Sequence, residues 1–279
     1  MSSKASFPIY SRLYHAEIHG QSGQDPDIPR FLVPCFVPND KAFRLVHCCV
    51  AAVAEFTREP YELWLIDNAS PPQWSERLLE LSDNIVFNRT SPGGGSLANA
   101  VGLELGIRQL PPATRHVVAM HSDTMPAHDN WWPYLRSKLS ERVRVAGTRL
   151  EQARVPEGVI HPLCCLLDYR LFQELRLDFQ PDLPRLDVCD RVTVELRKHG
   201  YDAFACRTTS RFPELLSLIP PGSPLRRYHV ERAFDDDDNV IHLNLGRGTS
   251  KCLTNRSHTG APWRTTVEQW FELAAWLLN

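Results

Sequence analysis

Four short apolar runs constrain this chain most. "FLVPCFVPND" (31–40), "YELWLIDNAS" (61–70), "NIVFN" (84–88) and "RHVVAMHSD" (115–123) each end in polar residues. The segments between them have helical character: "KAFRLVHCCVAAVAEF" (41–56) carries apolar residues at helical spacing, "PQWSERLLELS" opens on a proline suited to a first turn, and "LANAVGLELGIRQL" follows a glycine-rich turn. Strand and helix therefore alternate four times. That order predicts an α/β fold with a doubly wound, mainly parallel central sheet flanked by helices. Pro34 is unusual inside such a strand because it removes a ladder donor, so the strand is locally irregular there or the proline faces away from a neighbour. Ligands of doubly wound sheets gather beyond the carboxyl ends of the strands. Those ends carry Asn39 (next to Pro38), Asp67, Asn88 and Asp123, which points to one shared pocket.

The remainder is less regular. Residues 1–29 are turn-rich and read as an irregular segment before a core of 30–212. In that core, 30–123 forms the first half and 124–212 the second. "DNWWPYLRSKLS" (129–140) and "DVCDRVTVELRKHG" (187–200) read as helices, the latter closed by Gly200. Residues 213–262 are rich in proline, glycine and charge and read as loop. "TTVEQWFELAAWLLN" (265–279) reads as a C-terminal amphipathic helix that completes the same domain. Trp263, Trp270, Phe271, Ala274, Trp276 and Leu277 give it an apolar surface. Core packing is one reading of that surface; a homodimer or a peripheral membrane contact is the other.

Composition excludes several classes. With 31 Lys and Arg against 33 Asp and Glu, no basic excess supports nucleic-acid binding. No apolar run reaches the roughly 18 residues of a membrane helix, and the first twenty residues lack a signal-peptide core. The eight cysteines include no CxxC pair and lie mostly in apolar company, as buried reduced thiols do in a cytoplasmic protein. The expected location is therefore cytoplasmic, with a peripheral membrane contact as the variant.

Each candidate functional residue has a structural alternative. Asp67 can accept from an imide N–H or a ribose hydroxyl, or cap the next helix. "SPGGGSLANA" (91–100) can meet a phosphate at a helix entry or be a plain tight turn. Asp123 can hold a divalent cation, but a single carboxylate is not a site. His242, in "VIHLNLGRGTS", is a second candidate ligand or a structural histidine. Asp187 and Asp190 share a helix face at i and i+3 and can supply a general base or cap the helix. "DDDD" (235–238) reads as a solvated loop.

Taken in order, "LWLIDNAS", "NIVFNRTSPGGGSLANAVGLELG", "HVVAMHSDTMPAHDNWWPYL" and "DVCDRVTVELRKHGYDAF" resemble a family 2 glycosyltransferase with the GT-A fold, over roughly residues 30–205. The resemblance implies a nucleoside-diphosphate sugar donor and a hydroxyl acceptor such as a saccharide, a lipid-linked saccharide or a small molecule. It also implies Mn²⁺ or Mg²⁺ on the diphosphate. Asp67 then takes the place of the base-recognising aspartate, favouring UDP- or dTDP-sugars, with Pro38, Asn39 and Asn68 nearby. Gly95 and Asn99 match the glycine- and asparagine-rich helix entry. His121-Ser122-Asp123 resembles the D-x-D motif, with Asp123 on the metal beside His242 and with His121 where an acid is usual. Arg89 or Arg247 assists the diphosphate, and Asp187 or Asp190 is the base of an inverting displacement. Two other readings remain. One is a sugar-phosphate nucleotidyltransferase, although "CFVPNDKAF" lacks its basic glycine-rich signature. The other is a non-catalytic module that binds a sugar nucleotide or a partner.

Overall fold

The computed structural model describes residues 2–151, 158–254 and 264–279. In chain order, β1 (Ser2–Ile9) and β2 (Arg12–His19) form a hairpin. The next elements are β3 (Arg30–Cys35), α1 (Asp40–Phe56), β4 (Glu62–Asn68), α2 (Pro72–Ser75), β5 (Asn84–Asn88), α3 (Gly95–Ile107) and β6 (His116–Met120). The second half runs β7 (Thr124–Pro126), α4 (Trp131–Ser137), β8 (Val143–Gly147), β9 (Leu150–Glu151), β10 (Val159–Ile160), β11 (Cys164–Asp168), α5 (Tyr169–Glu174), α6 (Asp190–Lys198), β12 (Asp202–Ala205) and β13 (Arg207–Thr208). It closes with α7 (Pro224–Arg227), β14 (Glu231–Phe234), β15 (Val240–Asn244), α8 (Gly248–Thr254) and α9 (Val267–Leu277).

Among the described residues, nine strands form one sheet in the order β1-β2-β5-β4-β3-β6-β11-β8-β12. Its centre, β5-β4-β3-β6, is parallel, as the strand–helix alternation predicts, and antiparallel pairings flank it on both sides. The central strands read as apolar runs because both faces are covered. Phe31, Val33 and Cys35 face one core with α1 and α9, while Leu32 faces the other with α3. Pro34 is tolerated because the β3–β6 pairing ends at Leu32. On the other face α3 lies close against this sheet: a Cβ on Gly102 would come within 2.8 Å of the Pro34 Cβ, so only glycine lets the helix approach so near.

A smaller sheet, β13-β14-β15-β7, stands beside the large one. The chain passes from one to the other between β6 and β7, and the connecting residues are His121, Ser122 and Asp123.

Two segments depart from the expectations. Residues 2–19 are not irregular, because Tyr14, Ala16 and Ile18 alternate with polar residues and are buried where β2 extends the large sheet alongside β5. The turn at Tyr10, with φ 54°, carries no glycine to announce it. Residues 213–254 are likewise more than loop. Buried Glu231 and Arg232 hide β14 from a hydropathy reading, and Arg232 is satisfied by the carbonyls of Leu225, Tyr228 and Val230.

The apolar face of α9 is core: Trp270, Leu273 and Ala274 are buried, and Thr266 with Gln269 forms a capping box at its start. Trp276 stays exposed, and Trp263 lies outside the described residues. Among the described residues, α9 therefore presents no broad apolar surface for a dimer or membrane contact. No helix among the described residues is long and apolar enough to cross a membrane.

Candidate functional site

A cavity of about 840 Å³ opens at the carboxyl ends of the parallel strands, where doubly wound sheets place their ligands. Cys35 and Phe36 reach it from β3, and Asn68 from the end of β4. Gly93 to Gly95 and Asn99 line it from the entry of α3, and His121, Ser122 and Asp123 from the end of β6. Arg149, Glu151, His161 and Asp187 close the far side, with Asn244 and Arg247 beside the β15–α8 turn.

Asp123 is held from two directions. Its Oδ2 accepts from the Gly248 N–H at 2.7 Å, and its backbone carbonyl accepts from the Leu245 N–H at 3.0 Å. Gly248 must be small, because a Cβ there would overlap the Asp123 Cβ and come within 2.7 Å of the Leu45 Cδ2. Buried Lys251 donates hydrogen bonds to the carbonyls of Leu245 and Thr265 at 3.1 and 2.9 Å. Burial lowers its pKa, while the Asp123 charge works the other way.

His121 faces the other Asp123 oxygen: Nδ1 lies 3.9 Å from Oδ1, too long for a hydrogen bond. Its Nε2 is buried with no hydrogen-bond partner among the described residues, and its ring stands edge-on to His161, with centroids 5.7 Å apart. Burial lowers the imidazole pKa, opposed by the charges of Asp123 and Asp187, so the ring is held toward its neutral form.

Asp187 and Asp190 occupy different environments. Asp187 lines the cavity, and its Oδ1 accepts from the Val188 N–H at 2.7 Å. Asp190 is fully buried beneath it, and its Oδ2 accepts from the Asp187 N–H at 2.8 Å. Cys189, between them, caps α6 at φ 66°, so Asp187 precedes the helix and Asp190 begins it.

Of the residues expected in the site, the cavity gathers Asn68, Gly95, Asn99, His121, Ser122, Asp123, Asp187 and Arg247. Six others do not line it. Asp67 is fully buried: Oδ1 accepts from the Ser70 N–H and Oγ–H, and Oδ2 from the Ser75 Oγ–H at 2.6 Å. Burial raises its pKa against those hydrogen bonds. With its oxygens engaged, it gives no ground for preferring a uracil or thymine base. Asn39 caps α1, accepting from the Ala42 N–H at 3.0 Å and donating to the Cys252 carbonyl at 3.2 Å, and Pro38 precedes that cap. Arg89 pairs with Glu17 at 3.0 Å and lies over the Phe87 ring, outside the cavity. Asp190 is the buried clamp described above. His242 pairs in register with Pro126 on β7, three residues past Asp123, and does not line the cavity. Burial pushes its imidazole pKa down to about 3.

Sequence reasoning missed Phe36, Arg149, Glu151, His161 and Asn244. Arg149 and Glu151 end the run "RVRVAGTRLE", where a charge after an apolar strand was the one available signal. Among the described residues no cluster of three or more His, Cys, Asp or Glu is gathered for a metal.

No family model matches the chain, and no curated protein matches it by sequence. Solved structures similar in the course of the chain include the mannosyltransferase PcManGT from Pyrobaculum calidifontis in complex with GDP-Man and Mn²⁺. It is 15% identical, with 91% of this chain and 73% of that chain covered and a TM-score of 0.49. Glucosyl-3-phosphoglycerate synthase from Mycobacterium tuberculosis, in complex with Mn²⁺, UDP and phosphoglyceric acid, is 13% identical, with 64% and 67% covered and a TM-score of 0.42. A Drosophila β1,4-galactosyltransferase 7 mutant, in complex with manganese, UDP-Gal and xylobiose, is 11% identical, with 64% of each chain covered and a TM-score of 0.41. These likenesses assign no role to any residue of this chain.

Proposed function

We propose that the cavity binds a nucleoside-diphosphate sugar and transfers its sugar to an acceptor hydroxyl. One observation carries the reading: the glycine-rich entry of α3, the His121–Asp123 strand end and the Asp187 carboxylate converge on one cavity. The α3 entry starts at glycines and has no side-chain cap. Its first N–H groups suit a phosphate.

The residues present fit a divalent cation that shares its remaining positions with diphosphate oxygens. Asp123 Oδ1 and His121 Nδ1 are the two donors facing each other there, and neither is taken up by the other. An oxygen and an imidazole together suit Mn²⁺. Such a cation, when bound, supplies Lewis-acid neutralisation of the leaving diphosphate. Arg247, on the β15–α8 turn, adds a charge-assisted contact to the same group.

Asp187 is the general base. The acceptor oxygen attacks the anomeric carbon, its proton passes to the Asp187 carboxylate, and the bond to the diphosphate breaks with its electron pair leaving on that group. A single displacement of this kind inverts the anomeric configuration. A positioned base contributes about 10²–10⁴-fold, and holding the two substrates in line contributes further.

Titration of nucleotide-sugars with and without Mn²⁺, followed by turnover assays with an acceptor panel and anomeric NMR, tests this. Cation-dependent binding and an inverted product are the expected results. Absence of binding by any nucleotide-sugar refutes the reading, and a retained configuration refutes the single displacement. His121 at the place of an acid favours one second reading, a module that binds without transfer. Tight binding with no turnover on any acceptor supports that module.

A further inference from the structure

The two donors that face each other at the end of β6 are held from behind. The main chain of His121 is fixed by its N–H on the Leu163 carbonyl at 3.2 Å and by the Thr124 hydroxyl, which donates to its carbonyl at 2.8 Å. Its ring stands edge-on to His161, and Nδ1 is the nitrogen turned toward Asp123. Asp123 engages Oδ2 with the Gly248 N–H at 2.7 Å, so Oδ1 is the oxygen that faces His121. Their side chains are 21% and 8% exposed, and both residues line the cavity from this largely buried position.

This pair differs in kind from two carboxylates. It offers a cation one anionic oxygen and one uncharged nitrogen. Mg²⁺ takes oxygen donors, is drawn by carboxylate charge and gives up its waters reluctantly. An imidazole is a softer donor that suits transition-metal cations, with affinity rising from Mn²⁺ to Co²⁺. Diphosphate oxygens are open to all of these cations, so the discrimination falls on the ring.

We infer that His121 makes this seat select transition-metal cations over Mg²⁺, with the imidazole as the ligand that sets the preference. The inference rests on the reading of the cavity as a cation-dependent nucleotide-sugar site.

The test uses the full chain and isothermal titration of MnCl₂, CoCl₂ and MgCl₂ in the presence of UDP or GDP, corrected for the affinity of each cation for the free nucleotide. The wild type is expected to bind Co²⁺ and Mn²⁺ about tenfold or more tighter than Mg²⁺. In His121→Asp the seat gains a second carboxylate, and the preference for Co²⁺ is expected to shrink to about twofold, through a rise in Mg²⁺ affinity. A spectroscopic signature reads the ligation directly. His121 Nε2 is buried, so the proton it carries while Nδ1 holds Co²⁺ is shielded from water. The proton spectrum of the Co²⁺ complex should therefore show a hyperfine-shifted imidazole N–H, absent from His121→Asp. Equal affinity of the wild type for Mg²⁺ and Co²⁺ overturns the inference, as does an unchanged ratio in folded His121→Asp. Should that variant not fold, His121→Asn removes the imidazole without adding charge, and retention of the Co²⁺ preference there overturns the inference equally. Failure of both nucleotides to bind with every one of the three cations refutes the nucleotide-sugar reading itself. Cation-dependent binding without the preference refutes only the inference.

Discussion

Replacing Gly248 with alanine tests whether the β15–α8 turn sets the position of Asp123. The residue lies outside the left-handed region, so the added Cβ acts through space. That atom would overlap the Asp123 Cβ and approach the Leu45 Cδ2 to 2.7 Å, where carbons ordinarily rest about 3.5–4.0 Å apart. Leu45 is buried on α1 and has little room to move. The turn must then back away by about 1 Å, which breaks the 2.7 Å bond from the Gly248 N–H to Asp123. Overpacking costs about 1–3 kcal/mol. A lost hydrogen bond to a charged group costs about 1.5–3 kcal/mol. Because the turn relaxes partly, the expected loss is about 3–5 kcal/mol. Urea unfolding measures it, and titration with Mn²⁺ and the nucleotide-sugar reads the displacement of Asp123 as weaker binding. Gly222→Ala is the control, since a Cβ there meets nothing within 4 Å. If Gly248→Ala matches that control in both midpoint and affinity, the turn does not position Asp123.

Asp187→Asn is expected to lower kcat about 10²–10⁴-fold with stability kept, whereas Asp190→Asn disturbs a buried clamp and should lower stability first; steady-state kinetics beside unfolding midpoints separate them, and the reverse pattern exchanges their roles. Asp123→Ala should abolish Mn²⁺ binding in titration, and full retention removes it from the cation seat. His242 has a folded pKa near 3 against an unfolded value near 6.5, so between those values the unfolded chain binds the extra proton. Its contribution to stability is present above about pH 6.5 and lost as pH falls, by up to about 1.4 kcal/mol per unit. His242→Leu should flatten that slope in unfolding measured across the acid range, and an unchanged slope assigns the acid sensitivity elsewhere. Asp67→Asn should destabilise without weakening the nucleotide-sugar, since its partners are Ser70 and Ser75; a large loss of donor affinity with normal stability restores it to the binding site.

The parallel centre of the sheet was legible because apolar runs and helical periodicity alternate strictly between residues 31 and 120, and the same pattern located the polar strand ends. What the sequence could not distinguish was a polar residue aimed into the cavity from one turned away. Asp67 and Asn68 are neighbours, yet Asp67 is absorbed by two serines while Asn68 lines the cavity. Asp187 and Asp190 share a helical spacing, but the helix begins only at Asp190, with Cys189 at φ 66° as its cap, and Asp187 precedes it. His242 read as a ligand because its strand leads into the turn that clamps Asp123, but it pairs with Pro126 and does not line the cavity. Arg149 was illegible because its partner Glu231 is 82 residues away and carries a carboxylate into the interior.

His121 and Asp123 both lie in the three-residue passage that joins the large sheet to the small one. Asp123 is tied through Gly248 to the β15–α8 turn, so anything that bridges the two side chains fastens that passage to the turn as well. Occupancy is then registered by the whole cooperative unit, as a rise in unfolding temperature that grows with ligand concentration.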